Sequence, residues 1–427
     1  MVFHRFDRQI FVATEAAEGV AETIAVGDFV ETLDDVSYSI TPFSVERNLV
    51  RPSFTSIPDY YASTGITSSD TVVAQIQFTF TIEMSQATGG ATSAAPRWEP
   101  LLLACGMEKF STVKYEAISG GTVTGGPFLH REQCTAVTNF RTVSTLFSGD
   151  TRFYYTGTDP GDTSVDGDIS TANATITNAA NAAGIAYGFS IDAAQGNGSS
   201  ATVELDLDGR RVTAKGCRGT AVFTMSGMDR VLIQFTMTGI VHTIDDTGAN
   251  RTGLSYSHQL PPTFVGAGLT IMEASGSTNH TGAIFQQITL DLGNEVTMRE
   301  NANAASGWTA ARITSRAPTL TVNPDAIVGG ATSASVYDYI EAWAEGTPTR
   351  MAFEVGDGLD GNSFHFKMPA LQWTGISDGD RNNYSIYDCS AKLTGGLNGD
   401  SVVHSGDGST RFYDTTGADN ELVIILT

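Results

Sequence analysis

Residues 71–84, TVVAQIQFTFTIEM, carry an apolar side chain at every even position: Val72, Ala74, Ile76, Phe78, Phe80, Ile82 and Met84. Gln75, Gln77, Thr79, Thr81 and Glu83 occupy odd positions between them, and only Val73 breaks the polar set. Successive side chains of a strand point to opposite faces, so period-two alternation in β-branched and aromatic residues specifies a strand with one buried and one wet face. A helix would scatter both sets around its circumference. At about 3.3 Å per residue the stretch spans roughly 45 Å, two to three times an ordinary strand. A strand of that length suits a barrel wall or a tube, in which neighbouring chains continue the sheet.

The remaining composition agrees with a β-rich chain. Of 427 residues, 17% are charged and 45 are glycine, so surface polarity must come largely from Thr, Ser, Asn and Gln, as in turn-rich β proteins. The net charge of −23 opposes any grip on nucleic acid by phosphate neutralisation. A DNA partner would be repelled or allowed to slide. Only five of the 24 basic residues are lysine (Lys109, Lys114, Lys215, Lys367, Lys392), and an excess of arginine favours planar, paired contacts such as those at subunit interfaces.

Along the chain, residues 7–14 read as a first strand. Residues 15–70 form a proline-punctuated arm in which Pro42, Pro52 and Pro58 stop regular structure. Long ordered loops reach for something, and Arg47, Arg51, Pro52, Tyr60 and Tyr61 are the residues expected to clasp a neighbouring copy. After a Gly/Ala/Ser/Thr loop, residues 96–106 read as a short helix with prolines at its start and Gly106 at its end. Residues 107–200 read as a surface insertion. Strands return at 201–207, 210–225 and 231–244, separated by turns at Asp208-Gly209 and Ser226-Gly227.

Beyond a bend at 245–262, strands are expected at 264–274, 284–292 and 311–322. A helix at 335–345 presents Val336, Ile340 and Trp343 on one face, and strands follow at 350–355, 363–373, 384–394 and 421–426. The two halves repeat one order: strand, loop, short helix, strand, Asp-Gly turn, strand, Asp-Arg, long strand. Gly209 precedes Arg230 by 21 positions and Gly361 precedes Arg381 by 20. We therefore expect a mainly β chain of two half-barrel or β-sandwich domains, 1–245 and 246–427, each with one flanking helix. Three such chains would close a pseudo-six-fold wall with no free sheet edge.

Residues that could carry chemistry are sparse. Gly375-Ile-Ser377-Asp-Gly379 matches a nucleophile elbow, but another strand follows where the elbow needs a helix. Asp159, Asp162, Asp166 and Asp168 lack the calcium-loop order, the histidines have no ligand spacing, and no phosphate or dinucleotide loop occurs. Cys105, Cys134, Cys217 and Cys389 are too far apart for a disulfide framework or zinc site. The N-terminal residues show no signal-peptide pattern and no run reaches the ~18 apolar residues of a membrane span, so a cytosolic protein, or a particle assembled there, is expected. Neither a catalytic residue nor a metal or cofactor is expected.

Six segments, in order, resemble the tail tube proteins of long-tailed bacteriophages: 5–12 (RFDRQIFV), 97–106 (RWEPLLLACG), 208–220 (DGRRVTAKGCRGT), 290–296 (LDLGNEV), 316–319 (RAPT) and 419–425 (DNELVII). The resemblance covers most of the chain outside 107–200. It implies β-sandwich tube domains with a flanking helix, inner sheets joined around a ring, and rings stacked into a hollow virion tail through which DNA passes unbound. It also implies that a two-domain form makes trimeric rather than hexameric rings, and that the partners are the chain itself and tail-tip, tape-measure and tail-terminator proteins, with no membrane. An obvious C-terminal immunoglobulin-like decoration is lacking, so any outer decoration would come from 107–200. The polar face Gln75, Gln77, Thr79, Thr81 and Glu83 is then expected to line the lumen, and the even face to pack against a second sheet. A capsid-decorating or head-to-tail joining protein is the alternative, with an adhesin-like module and an enzyme behind it.

Overall fold

A computed structural model describes residues 8–62 and 74–85 apart from short breaks, 95–113, 183–189, 199–246, 250–273 and 280–326 apart from short breaks, 337–356, 364–394 and 421–426, with short strand pairs inside 121–169. The fold is mainly β. Its first part comprises β1 (Arg8–Thr14), β2 (Phe29–Val30), β3 (Ser37–Pro42), β4 (Ser44–Arg51), β5 (Phe54–Ala62), β6 (Ala74–Glu83), α1 (Glu99–Ala104), β7 (Met107–Val113), β8 (Gly121–Thr122), β9 (Phe140–Arg141), β10 (Tyr154–Tyr155), β11 (Asp168–Ile169), β12 (Ala183–Phe189), β13 (Ala201–Leu207), β14 (Arg211–Ser226) and β15 (Leu232–Asp245). Its second part comprises β16 (Thr270–Glu273), β17 (Phe285–Asp291), β18 (Asn294–Glu300), β19 (Trp308–Arg316), β20 (Thr319–Pro324), α2 (Tyr339–Glu345), β21 (Thr349–Val355), β22 (Phe364–Arg381), β23 (Tyr384–Thr394) and β24 (Val423–Leu426).

Two antiparallel pairing paths run through these strands. The first is β1-β13-β14-β15-β6-β3 and the second β16-β21-β22-β23-β20-β17. Each strand of one path has a counterpart at the same place in the other, and the chain visits both sets in the same order. Each path also sends out a two-stranded hairpin between its matching strands, β4–β5 between β3 and β6, and β18–β19 between β17 and β20. One short helix follows each.

The paths meet at β14. Its first half pairs with β13 (Ala201 opposite Cys217), and its end pairs with β17 (Val222 opposite Asp291, Ser226 opposite Gln287). Burial follows: Phe80 and Phe235 face each other at 6.0 Å, Phe223 meets Phe366 at 5.8 Å, and Phe366 stacks on Phe353 at 4.8 Å. A core that draws Phe223 from the first part and Phe366 from the second makes a single hydrophobic body. Fully burying a residue of this size is worth about 1.5–3 kcal/mol.

The organising strand behaves as its alternation requires. Ala74, Ile76, Phe78, Phe80, Ile82 and Met84 are buried, whereas Gln77 is exposed and Gln75, Thr79, Thr81 and Glu83 are half-buried. Val72 lies outside the described residues, as do Pro52, the loop over 86–94, most of 114–182, Val336 and Asp360-Gly361.

Elsewhere several expectations are corrected. The surface insertion does not begin at 107 or end at 200: β7 and β12 pair along their length, Tyr187 and Phe189 are buried, and β24 joins β12 to β22. The arm is not irregular, since β4 and β5 pair as a hairpin with Pro58 opposite Asn48. A proline is tolerated there because this hairpin pairs only with itself among the described residues, which leaves the amide side of Pro58 without a ladder to serve. Residues 311–322 are two strands. The chain breaks at Ala317-Pro318, where the Ala317 amide donates to the Gly293 carbonyl, and β19 and β20 then take different partners.

The packed face of α2 is Tyr339 and Ala342, with Ile340 and Trp343 exposed. Asp338 caps the helix through the Glu341 amide, which starts it later than expected, and Tyr339 packs on Trp373 at 5.3 Å. The stretch between the strands expected at 363–373 and 384–394 is mostly a continuation of β22; the reversal is at Asn382-Asn383, both left-handed (φ 54 and 68), as a two-residue hairpin turn demands. The elbow-like Gly375–Gly379 segment is therefore plain strand.

Candidate assembly surface

Register carries the polar face of β6 across the whole molecule. Thr79 lies opposite Ser37 on β3 and Thr236 on β15; Thr81 lies opposite Gln234. Thr236 is opposite Thr220 on β14, and Thr224 is opposite Thr289 on β17. Thr289 then faces Thr321 on β20, Thr321 faces Ser390 on β23, and Lys392 faces Gln372 on β22. Residues directly opposite in a ladder share a face. The strands β3-β6-β15-β14-β17-β20-β23-β22 thus present one continuous surface of Thr, Ser and Gln. Their opposite sides are core: Phe78, Phe235, Phe223, Leu290, Leu320 and Ala391 are all buried.

This surface holds little charge. Among the described residues Glu83, Asp291, Asp388 and Lys392 stand on it in register, with Arg218 and Arg381 at its ends, so most of the chain's surplus acid lies elsewhere. At one end it is covered. There Arg218 is buried, donates to the Ala311 carbonyl at 2.5 Å and pairs with Glu18 at 2.9 Å, which also binds Arg312; Asn294 donates to the Cys105 and Gly219 carbonyls at 2.7 and 3.0 Å. These contacts lay hairpin β18–β19 down on β14. A Cβ on Gly216 would come 2.9 Å from Ala310, so the close approach needs glycine.

The five expected lumen residues are brought onto this one face, and they are a fraction of it. Gln234, Thr236, Thr289, Thr321 and Ser390 were not singled out from the sequence, although residues 232–238 alternate as 74–83 do. Arg47, Arg51, Tyr60 and Tyr61 fall on β4 and β5, away from the face's pairing path.

Two edges of the surface end without a strand partner among the described residues. The outer edge of β3, away from β6, is one. The other is the stretch Thr374–Arg381 of β22 on the side away from β23. By their places in the two paths, β3 corresponds to β17 and β22 to β14. The pair β14–β17 is joined inside the chain; its counterparts are the two open edges.

Titratable groups are tied up in structure. Glu204 is buried beside Arg251 at 2.5 Å and Arg211 at 3.2 Å and accepts from the Thr213 hydroxyl; burial pushes its carboxyl up while the two guanidinium groups pull it back. Glu15, also buried, accepts from the Gly19 and Gly216 amides and the Ser200 and Thr202 hydroxyls. Glu15 is thus held by four donors, whereas Glu204 Oε1, although beside its two arginines, accepts no hydrogen bond among the described residues. Among the described residues no group of three His, Cys, Asp or Glu could hold a metal, and no helix is long and apolar enough to cross a membrane. A shallow furrow of about 190 Å³ between β17, β20 and β23 is lined by Thr289, Thr321 and Ser390 with Asp388 as its one carboxylate. Compared with protein-family models the chain matches none, and compared with curated proteins it matches none either.

Proposed function

We propose that this chain is the repeating subunit of a hollow viral tail tube, built from two fused copies of one tube domain, and that DNA passes along its Thr/Gln face. The observation that carries the reading is the β14–β17 junction: the chain has made one such joint internally and displays both halves of a second, β22 and β3, unjoined. Antiparallel pairing of Thr374–Arg381 on one copy with β3 of the next repeats the internal joint and removes both edges. Open edges otherwise invite uncontrolled association.

Magnitude favours three copies. Eight strands about 4.8 Å apart span roughly 38 Å, so three copies make a circumference of about 115 Å and a bore of roughly 37 Å between backbones. Six copies would double both. Hydroxyl and amide side chains with few cations offer phosphates nothing to displace their counterions, so the wall does not retain DNA. The arm β4–β5 is assigned to contact with the adjacent ring. Tail-tip, tape-measure and tail-terminator proteins are the partners such a tube requires at its ends and in its bore.

Negative-stain microscopy of the purified protein tests this. Stacked hollow rings of three chains are expected. Six chains per ring would refute the fused-copy reading, and monomers decorating a capsid surface or sitting at a head–tail joint would replace the tube by the alternative.

A further inference from the structure

Each half carries one short helix, and each helix runs into a glycine at positive φ, Gly106 (84) after α1 and Gly346 (67) after α2. Counting back from these glycines puts Trp343 where α1 has Leu103, and Ile340 where α1 has Pro100. The two helices differ in cover. Leu101, Leu102 and Ala104 of α1 are buried and Pro100 and Leu103 half-buried, whereas Ile340 is 46% exposed, Trp343 45%, and Ala344 exposed as well. At about 100° per residue, Ala342, Tyr339, Trp343, Ile340 and Ala344 form an unbroken apolar arc of roughly 200° around α2, with Glu341 and Glu345 on the remainder. A helix packed on one core needs a stripe about half as wide. The chain itself covers Tyr339 and Ala342, and the other half of the arc is bare.

Two things cover α1. One is the pair β7–β12 that follows it: the Tyr187 hydroxyl donates to Glu99, and Tyr187 packs on Trp98 at 6.0 Å. No such pair follows α2, because β21 begins at Thr349, directly after the helix. The other cover arrives with the β14–β17 joint. Where the chain leaves β17 it turns onto the helix end: the Leu292 amide donates to the Ala221 carbonyl, and Asn294 Nδ2 donates to the Cys105 and Gly219 carbonyls at 2.7 and 3.0 Å. Ile313 of β19 closes over the same spot, 3.0 Å from where a Cβ on Gly106 would stand.

The end of α2 has the same place beside the open edge. Tyr339 packs on Trp373 at 5.3 Å, and a Cβ on Gly346 would stand 3.6 Å from Gln372 Nε2, just before the unpaired stretch that starts at Thr374. In the internal joint the end of β17 lies at Val222, the side nearer α1. An antiparallel joint of the same kind sets the end of β3 of the next copy at Thr374, beside α2. We infer that the bare face of α2, Ile340, Trp343 and Ala344, is a second contact within the ring, covered by the next copy of this chain where that copy leaves β3. The inference rests on the ring reading above and adds side chains to a joint otherwise made of backbone. Glu341 and Glu345, outside the apolar arc, stay at its wet margin.

The chain has four tryptophans, of which Trp98, Trp308 and Trp373 are buried and Trp343 is not. In unassembled full-length protein acrylamide is expected to quench the emission of Trp343, a signal that Trp343→Phe removes. In isolated wild-type rings that quenching should fall to the level of the three buried tryptophans. Ile340→Glu should leave the circular dichroism and melting temperature of the unassembled chain unchanged, because the side chain is exposed, and cut rings by about tenfold or more at equal concentration. Rings in which Trp343 stays open to acrylamide would overturn the inference and leave the ring reading standing, as would rings formed by Ile340→Glu as readily as by the wild type. A lowered melting temperature of the unassembled variant would assign the face to the chain's own fold and overturn it too. If the wild type made no rings at all, the ring reading would fail first and carry this inference with it.

Discussion

The guanidinium of Arg230, at the start of β15, pairs with the carboxylate of Glu83, at the end of β6. Its counterpart in the second half is Arg381, which pairs with Asp325 just after β20. In both halves an arginine beside the long hairpin's turn ties that hairpin to the strand that precedes the helix. Surface pairs contribute about 0.2–1 kcal/mol, and these two are half-exposed and part-buried respectively. Arg230→Ala and Arg381→Ala are therefore each expected to lower urea stability by no more than about 1 kcal/mol, less in high salt. A loss several times larger in either would mean that the pair orders more than a strand end.

Phe223→Ala should be far more costly. The ring touches Phe366 across the boundary between the halves, and truncating a buried phenylalanine costs about 3–5 kcal/mol. Urea unfolding followed by circular dichroism and by tryptophan emission is expected to shift as one transition in both signals, because the core is shared. Separate transitions would show halves that fold independently.

The proposed ring closure has a backbone signature. Along an antiparallel strand, amides point alternately to one neighbour and the other. Single prolines placed through Thr374–Asp380 of β22 should consequently alternate in effect. Those whose lost amide faces away from β23 keep the fold and lose rings, while those facing β23 also lower the melting temperature. Size-exclusion chromatography and thermal melts of the series read both; the absence of any two-residue rhythm would remove this edge from the assembly.

In the proposed tube, indifference to DNA would rest on side chains that can be replaced. Thr79→Lys with Thr289→Lys adds six cations to a three-chain ring on two separate strands of the face. Wild-type tubes should retain no short duplex DNA at about 0.15 M salt, and the variant should bind it with an affinity that falls steeply as salt rises. Equal binding by both would place these residues off the path of DNA.

Three thiols report on the core. Cys105, Cys217 and Cys389 are buried, and burial pushes each thiol above its ordinary value, that of Cys389 to about 12. Almost none is thiolate at pH 8, so a thiol-reactive dye should leave all three unmodified until urea unfolds the chain. Mass mapping of the native protein is expected to find them unlabelled; Cys134 lies outside the described residues.

Much of the fold could be read from residues alone where the signal is local. The alternation of 74–83 and 232–238, the positive-φ turn at Asp208-Gly209 and the helix ending at Gly106 are each set by a few neighbours. Partner choice is different, because period two fixes which face a residue occupies and leaves the adjoining strand open. Nothing in Arg211–Ser226 announces that its first half belongs to β13 and its end to β17. The break at Ala317 depends on Gly293, 24 positions away, and β12 was hidden in a small-residue tract although Ile185, Tyr187 and Phe189 alternate. The face of α2 departs from its periodicity because so short a helix follows its Asp338 cap and the Tyr339–Trp373 contact.

The strand β24 lies between β12 and β22, and this has a cost in time. β12 is complete at Phe189, whereas its second neighbour begins at Val423. At about 5–20 residues per second a ribosome needs on the order of ten seconds or more to make what lies between. Throughout that interval β12 has β7 on one side and an untenanted edge on the other. The nascent chain is at its most adhesive while it is still tethered, and half-made neighbours on one message are the first partners that edge can meet.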